Sequence, residues 1–191
     1  LVPLFSQEMI KLWQAANLPN GVINLVQGQA KTWVALAEHS GIKAIFFTGS
    51  SKVGKILHQQ AAGQLDKILA LELGGNNPML CHQVNDIQET VEMIIQSAFI
   101  TNGQRCTCAR RLILIEDQEG QDILTALKEK TEAIEVGNPL DKESFMGPVI
   151  SSAQADKLYQ SQASLLEKGA KSIVLMKELV ELGASYLSPG I

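Results

Sequence analysis

An α/β fold organised on parallel strands is what this sequence predicts, from three observations. Lys43-Ala44-Ile45-Phe46-Phe47, Ile68-Leu69-Ala70-Leu71 and Leu112-Ile113-Leu114-Ile115 are continuous apolar runs rather than alternating ones, as in strands covered on both faces. The segments between them repeat apolar residues at helical spacing. Glycine-bearing turns punctuate the joins, as in successive strand–helix units.

The elements follow in order. Residues 6–16 read as a helix with Met9, Ile10, Leu12 and Trp13 on one side, broken by Asn17-Leu18-Pro19-Asn20-Gly21. Val22-Ile23-Asn24-Leu25-Val26 is expected as a short strand before Gly28. A helix over 30–39 leads to the strand at Lys43, and Val53, Ile56, Leu57 and Ala61 mark the helix after it. With the strand at Ile68, the expected order is αβαβαβ. Asp86-x-x-Glu89 is a capping box for a helix carrying Ile87, Val91, Ile94, Ile95 and Ala98. Met79-Leu80-Cys81 is strand-like. A helix over 120–134, another over 152–168 and a strand at Ile173-Val174-Leu175 complete the expectation. Gly74-Gly75 is the best internal boundary, separating 1–74 from 75–191.

Composition excludes several classes. The 191 residues are 46% hydrophobic, which suits a globular core. The net charge is −4, and the 16 basic residues form no run or stripe, so no nucleic-acid partner is expected. No apolar stretch is long enough to span a membrane. Leu1-Val2-Pro3-Leu4-Phe5 lacks signal-peptide features, and Ser188-Pro189-Gly190-Ile191 reads as a turn; a piece of a longer protein is expected. Three cysteines without framework spacing favour a reducing, cytoplasmic setting.

Three segments carry chemistry. Phe47-Thr48-Gly49-Ser50-Ser51-Lys52-Val53-Gly54 is a strand–turn–helix unit. Gly49 is expected to reverse the chain with a positive φ, Ser50 or Ser51 to cap the helix, and the helix start to favour a phosphate. A ligand or backbone passing close explains Gly54. The spacing is not that of the dinucleotide fingerprint G-x-G-x-x-G. It nearly matches a P-loop, but Ile56 stands where a Mg²⁺-holding hydroxyl is required. A bare strand–helix connection is the plainer alternative.

Glu72 ends an apolar strand in Leu71-Glu72-Leu73-Gly74-Gly75-Asn76-Asn77-Pro78. It is either a structural acid or a functional one, and the two glycines beside it allow close packing or positive φ. Cys106 lies in Gly103-Gln104-Arg105-Cys106-Thr107-Cys108-Ala109-Arg110. Arginines and backbone N–H groups favour a thiolate there, while a buried structural thiol fits the residue equally well. Cys81 and Cys108 read as structural. His39, His58 and His82 lack ligand spacing, so no metal is expected. Together Cys106 and Glu72 suggest covalent catalysis followed by proton handling.

In motifs, order and spacing these segments resemble the aldehyde dehydrogenase superfamily. The similarity runs from the helix at residue 6 to the end of the chain. It implies part of a Rossmann-type cofactor domain over 1–74 and part of the α/β catalytic, thiol-bearing domain over 75–191. It implies Cys106 as nucleophile, Glu72 as the base that activates water, and Gly49, Ser50, Ser51, Lys52, Val53 and Gly54 as the turn holding the pyrophosphate of NAD. It also implies a backbone oxyanion donor at Cys106 and a homo-oligomeric parent. The side-chain oxyanion Asn and the Lys that holds the adenine ribose would lie before Leu1, and the Glu that holds the nicotinamide ribose beyond Ile191. Little turnover is therefore expected from the piece alone.

Asn76 replaces the Lys of many members. With the arginines around Cys106, this resembles the branch oxidising N-succinylglutamate 5-semialdehyde in bacterial arginine breakdown. Arg105 is then a candidate for the substrate's carboxylates, and Arg110 and Arg111 read as surface charges. The alternative is a non-catalytic nucleotide-binding module with structural cysteines.

Overall fold

A computed structural model describes residues 3–191. The chain divides into two compact units, with the break between Leu73 and Gly74.

The first unit opens with α1 (Pro3–Ala15) and α2 (Ala30–Glu38), followed by β1 (Ala44–Gly49), α3 (Ser51–Ala61) and β2 (Ile68–Leu73). Strands β1 and β2 pair in parallel from Ala44↔Ile68 to Gly49↔Leu73. A parallel pair needs a crossover, and α3 supplies it. Ile45 and Phe47 are half-buried on one face of β1, and Trp33 of α2 stacks on Phe47 with ring centroids 6.1 Å apart. Leu57 of α3 is buried.

Two expectations need correction here. Val22-Ile23-Asn24-Leu25-Val26 is not a strand; the segment is irregular and its apolar side chains are exposed. β-propensity favours an extended chain, but a strand also requires a partner edge, and the segment pairs with none among the described residues. The sheet is also not covered on both faces within the unit: Phe46 is 81% exposed and Ile68 64%. The continuous apolar run therefore reports two hydrophobic faces of which this unit covers one.

The second unit contains β3 (Asn77–Cys81), α4 (Ile87–Phe99), a 3-10 turn (Ile100–Gly103), β4 (Ala109–Leu114), α5 (Gln118–Glu132) and α6 (Ser152–Glu167). Strands β3 and β4 are again parallel, from Asn77↔Ala109 to Cys81↔Leu114, with an irregularity at Asn77/Pro78 where the ring nitrogen has no hydrogen to donate. Asp86 caps α4 by accepting from the Glu89 N–H at 2.9 Å. Asp117 caps α5 through the Gly120 N–H at 2.9 Å. Cys81, Val91, Ile94, Ile95, Ile123 and Leu127 form the core beneath β3 and β4. A smaller cluster joins Val149, Ala155 and Leu187.

The predicted strand at 173–175 is not one. Ile173 and Val174 donate to the Ile191 carbonyl at 2.8 and 3.0 Å, and the Ile191 N–H returns to Val174 at 2.8 Å. One residue, Ile191, thus pairs with backbone groups of Ile173 and Val174 where a full neighbouring strand was expected.

Leu127 is 1% exposed and packs with the five other buried residues of this core. Leu127→Ala is expected to lower unfolding free energy by about 2–5 kcal/mol through lost transfer energy and an unfilled cavity. A denaturant titration should show a lower midpoint at unchanged slope.

Candidate active site

The turn after β1 is built by three local devices. Ser50 caps α3, its Oγ accepting from the Val53 N–H at 3.3 Å. Gly49 is the last residue of β1 and does not adopt a positive φ. A Cβ there would stand 2.3 Å from Cζ of Phe47, so the glycine makes room for a ring rather than reversing the chain. Gly54 is buried, and its missing Cβ would lie 2.6 Å from a Leu73 methyl. A close helix–strand contact is therefore sufficient reason for Gly54. Ser50, Ser51 and Lys52 are exposed at the helix start.

Glu72 lies on β2 directly opposite Thr48, one residue before the Gly49↔Leu73 pair. It is exposed. Strand alternation puts it on the bare face, away from Leu73 and α3. Glu72 and the Gly49–Gly54 turn thus share the carboxyl end of the β1–β2 pair, the end at which open parallel sheets hold ligands. Neither Gly74 nor Gly75 has a positive φ.

Cys106 belongs to the second unit and is exposed and free. Before it, Thr101, Asn102 and Gly103 all take left-handed backbone angles, with φ of 52°, 58° and 64°. Such a run in a β-branched residue and its neighbours costs energy and needs external support. Asn102 supplies it: Nδ2 donates to the Pro148 carbonyl at 2.8 Å, and Oδ1 accepts from the Gly147 N–H at 2.7 Å. Oε1 of Gln104 accepts from the Ile150 N–H at 2.9 Å. Arg110 donates to the carbonyls of Gly103 and Arg105, the latter at 3.3 Å. Asn77 donates to the carbonyls of Cys106 and Cys108 at 2.7 and 3.1 Å. The Cys106 backbone N–H has no acceptor among the described residues. Cys108 is 2% exposed, with its Sγ 3.8 Å from the Ile100 carbonyl.

The arginines around the thiol divide by role. Arg110 braces the turn, and Arg111 donates to the Asn76 carbonyl at 3.2 Å. Arg105 is exposed, and its guanidinium has no partner among the described residues. Sequence reasoning missed Asn77, Asn102 and the bracing by Arg110. Gln104 lay within the quoted motif, but its partner Ile150 is far along the chain and carries no signal. It missed Glu119 as well, whose two oxygens accept from the N–H groups of Gln83 and Val84 at 2.7 and 2.9 Å. Among the described residues, no group of three or more His, Cys, Asp or Glu could hold a metal ion. No helix among them is long and apolar enough to cross a membrane.

A model of the aldehyde dehydrogenase family matches residues 1–190. The chain belongs to that family. Over 192 residues it is 49% identical to the N-succinylglutamate 5-semialdehyde dehydrogenase of Ectopseudomonas mendocina, a match covering 100% of this chain and 39% of that protein. An aldehyde dehydrogenase C mutant of Pseudomonas syringae, solved with NAD⁺ and octanal, is similar with TM-score 0.89 and 28% identity, covering 98% of this chain and 39% of that one. The glyceraldehyde-3-phosphate dehydrogenase GapN of Methanocaldococcus jannaschii, solved with NADP, gives TM-score 0.87 and 29% identity, covering 98% and 41%. This aldehyde dehydrogenase chain thus spans about two fifths of the length of these proteins.

Its three thiols differ sharply in environment. Burial pushes the Cys81 thiol above its ordinary 9.0, and the Glu119 carboxylate adds to the shift. In the folded chain iodoacetamide is expected to label Cys106 roughly tenfold or more faster than Cys81 and Cys108, because exposure and thiolate fraction govern the rate. Peptide mapping after brief labelling checks this; comparable labelling of Cys106 and Cys108 would contradict it. The Cys81 shift has a further sign. Below pH 9.0 folded and unfolded states both keep the proton, whereas above it the unfolded state loses its proton first. Stability should therefore fall as pH rises from there through the raised folded value.

Proposed function

We propose that the complete protein oxidises an aldehyde to a carboxylic acid with NAD, using Cys106 as nucleophile and Glu72 as base. The observation that carries this reading is Cys106 itself: a free, exposed thiol on a turn held by side-chain hydrogen bonds from Asn77 and Arg110. An exposed cysteine without a structural partner is poorly explained by packing, and a braced turn suits a nucleophile.

Sγ of Cys106 adds to the aldehyde carbon as a thiolate, forming a thiohemiacetal. The Cys106 N–H stabilises the oxyanion that develops. A nicotinamide cofactor held at the Gly49–Gly54 turn would supply the hydride acceptor that oxidation of the thiohemiacetal to the thioester requires. Glu72 then takes a proton from the water that attacks the thioester; the acid leaves, and the thiol is restored. The hydroxyls of Ser50 and Ser51, the Lys52 ammonium and the positive end of α3 form a donor set that fits a diphosphate. The residues from Gly49 to Gly54 are assigned to it. In this reading 1–74 is part of the cofactor-binding domain and 75–191 part of the catalytic domain.

The substrate assigned is N-succinylglutamate 5-semialdehyde, giving N-succinylglutamate in arginine breakdown, supported by 49% identity to a protein of that name. Arg105, exposed beside the thiol, is assigned to a substrate carboxylate. A nicotinamide cofactor is supported by neighbours solved with NAD⁺ and with NADP.

In the complete gene product, Cys106→Ser should abolish NADH formation from this aldehyde. Glu72→Gln should slow the steady state by roughly 10²–10⁴-fold, the usual contribution of a general base. It should also leave a first-turnover burst of NADH, because acylation precedes the step that Glu72 serves. Stopped-flow absorbance separates the two. Full activity in the Cys106→Ser variant would overturn the assignment of the nucleophile, and no NADH formation by the unmodified product would favour the non-catalytic nucleotide-binding module.

A further inference from the structure

The glutamate segment continues past Glu72 into Gly74-Gly75-Asn76-Asn77-Pro78, and nothing in the chemistry assigned to Glu72 uses those residues. Asn77 opens β3, and its partner in the ladder is Ala109, the first residue of β4. Ala109 follows the cysteine turn immediately, so Asn77 faces the entrance of that turn from the neighbouring strand. Its Nδ2 donates to the Cys106 carbonyl at 2.7 Å and to the Cys108 carbonyl at 3.1 Å. An asparagine amide nitrogen carries two hydrogens, and here both are engaged. The amide cannot rotate without breaking both bonds.

The opposite side of the same amide accounts for a glycine. A Cβ on residue 75 would stand 2.8 Å from Asn77 Oδ1. Gly75 therefore leaves room for the amide in the orientation the two carbonyls require. The turn has little else to hold its centre. Its own backbone bond, from the Cys108 N–H to the Arg105 carbonyl, is long at 3.3 Å, and Arg110 reaches only the carbonyls of Gly103 and Arg105.

We propose that Asn77 is a positioning residue for the nucleophile, its side-chain amide clamping the carbonyls of Cys106 and Cys108, the residues on either side of Thr107, and so setting the direction in which Cys106 presents its sulfur. This deepens the assignment of Cys106 and rests on it. Asn77 touches no reacting atom; it acts through the backbone of the turn. A displacement of about 1 Å at a reacting group costs on the order of 10²-fold in rate.

The test uses the complete gene product and three variants. Asn77→Ala removes both donors, and Asn77→Ser restores one hydroxyl donor. Arg111→Ala is the control, losing a bond to the Asn76 carbonyl at the same strand entrance without touching the turn. For Asn77→Ala, kcat should fall by roughly 10²-fold while KM for the aldehyde stays within about threefold. Amide exchange at residues 106–108 should accelerate by roughly tenfold or more, and the rate of Cys106 alkylation should change severalfold. Asn77→Ser should recover part of each effect, and Arg111→Ala should leave all three near the parent values.

Wild-type exchange and kcat in both Asn77 variants would overturn the proposal. So would equal losses in Arg111→Ala and Asn77→Ala, because the effect would then be one of general stability. If the complete product oxidises no aldehyde, the assignment of the nucleophile fails instead. Exchange and alkylation would still report whether Asn77 holds the turn, and unchanged values there would overturn the clamp independently.

Discussion

Parallel pairing is the constraint from which the remaining architecture follows. Two strands running the same way cannot be joined by a tight turn; the chain must travel back along the sheet first. α3 makes that return for β1 and β2, and α4 with its 3-10 turn makes it for β3 and β4. Each return leaves strand ends where the backbone has completed its ladder and side chains are free for other work. Glu72 and the Gly49–Gly54 turn lie at the carboxyl end of the first pair. The cysteine turn enters the second pair at its amino end, beside Asn77. Strand interiors, by contrast, are committed to burial: Met79, Leu112 and Leu114 pack on the core of α4 and α5.

The support of the Cys106 turn is mostly side chain to backbone. Asn102, Gln104, Arg110 and Asn77 each satisfy peptide groups that no regular element pairs. A turn leaves such groups without ladder partners, and amide and guanidinium side chains are the natural complement. The three successive left-handed residues before Cys106 would be unstable as a free loop. They persist because Asn102 binds a donor and an acceptor on the 147–148 segment at once. The exposed thiol thus sits on a support much stiffer than its lack of regular structure implies.

Several elements were legible in the linear chain. The helices at α2, α3, α4, α5 and α6 follow apolar periodicity, and the caps at Ser50 and Asp86 are local, since a cap lies within four residues of what it binds. The short runs at 22–26 and 173–175 were not legible. A strand is a relation between two segments, and its partner is invisible in its own residues. Gly49 misled for a related reason: a positive φ was expected there, yet the missing Cβ makes room for the Phe47 ring. At Gly54 and Gly75 close approach was among the expected reasons, and the atoms that come close are those of Leu73 and Asn77. Gly103, for which no backbone angle was expected, does adopt a positive φ.

The order of types in the chain was enough to determine the α/β class and the helix faces, and to single out three segments around Gly49, Glu72 and Cys106. These depend on periodicity and on neighbours a few positions away. Only the tertiary structure decided what stands against the cysteine turn, because the groups that hold it come from elsewhere. Asn77 is 29 residues from Cys106, and Asn102 and Gln104 each reach 46 residues along the chain. A hydrogen bond acts over about 3 Å, and which distant atoms come that close is settled by packing alone.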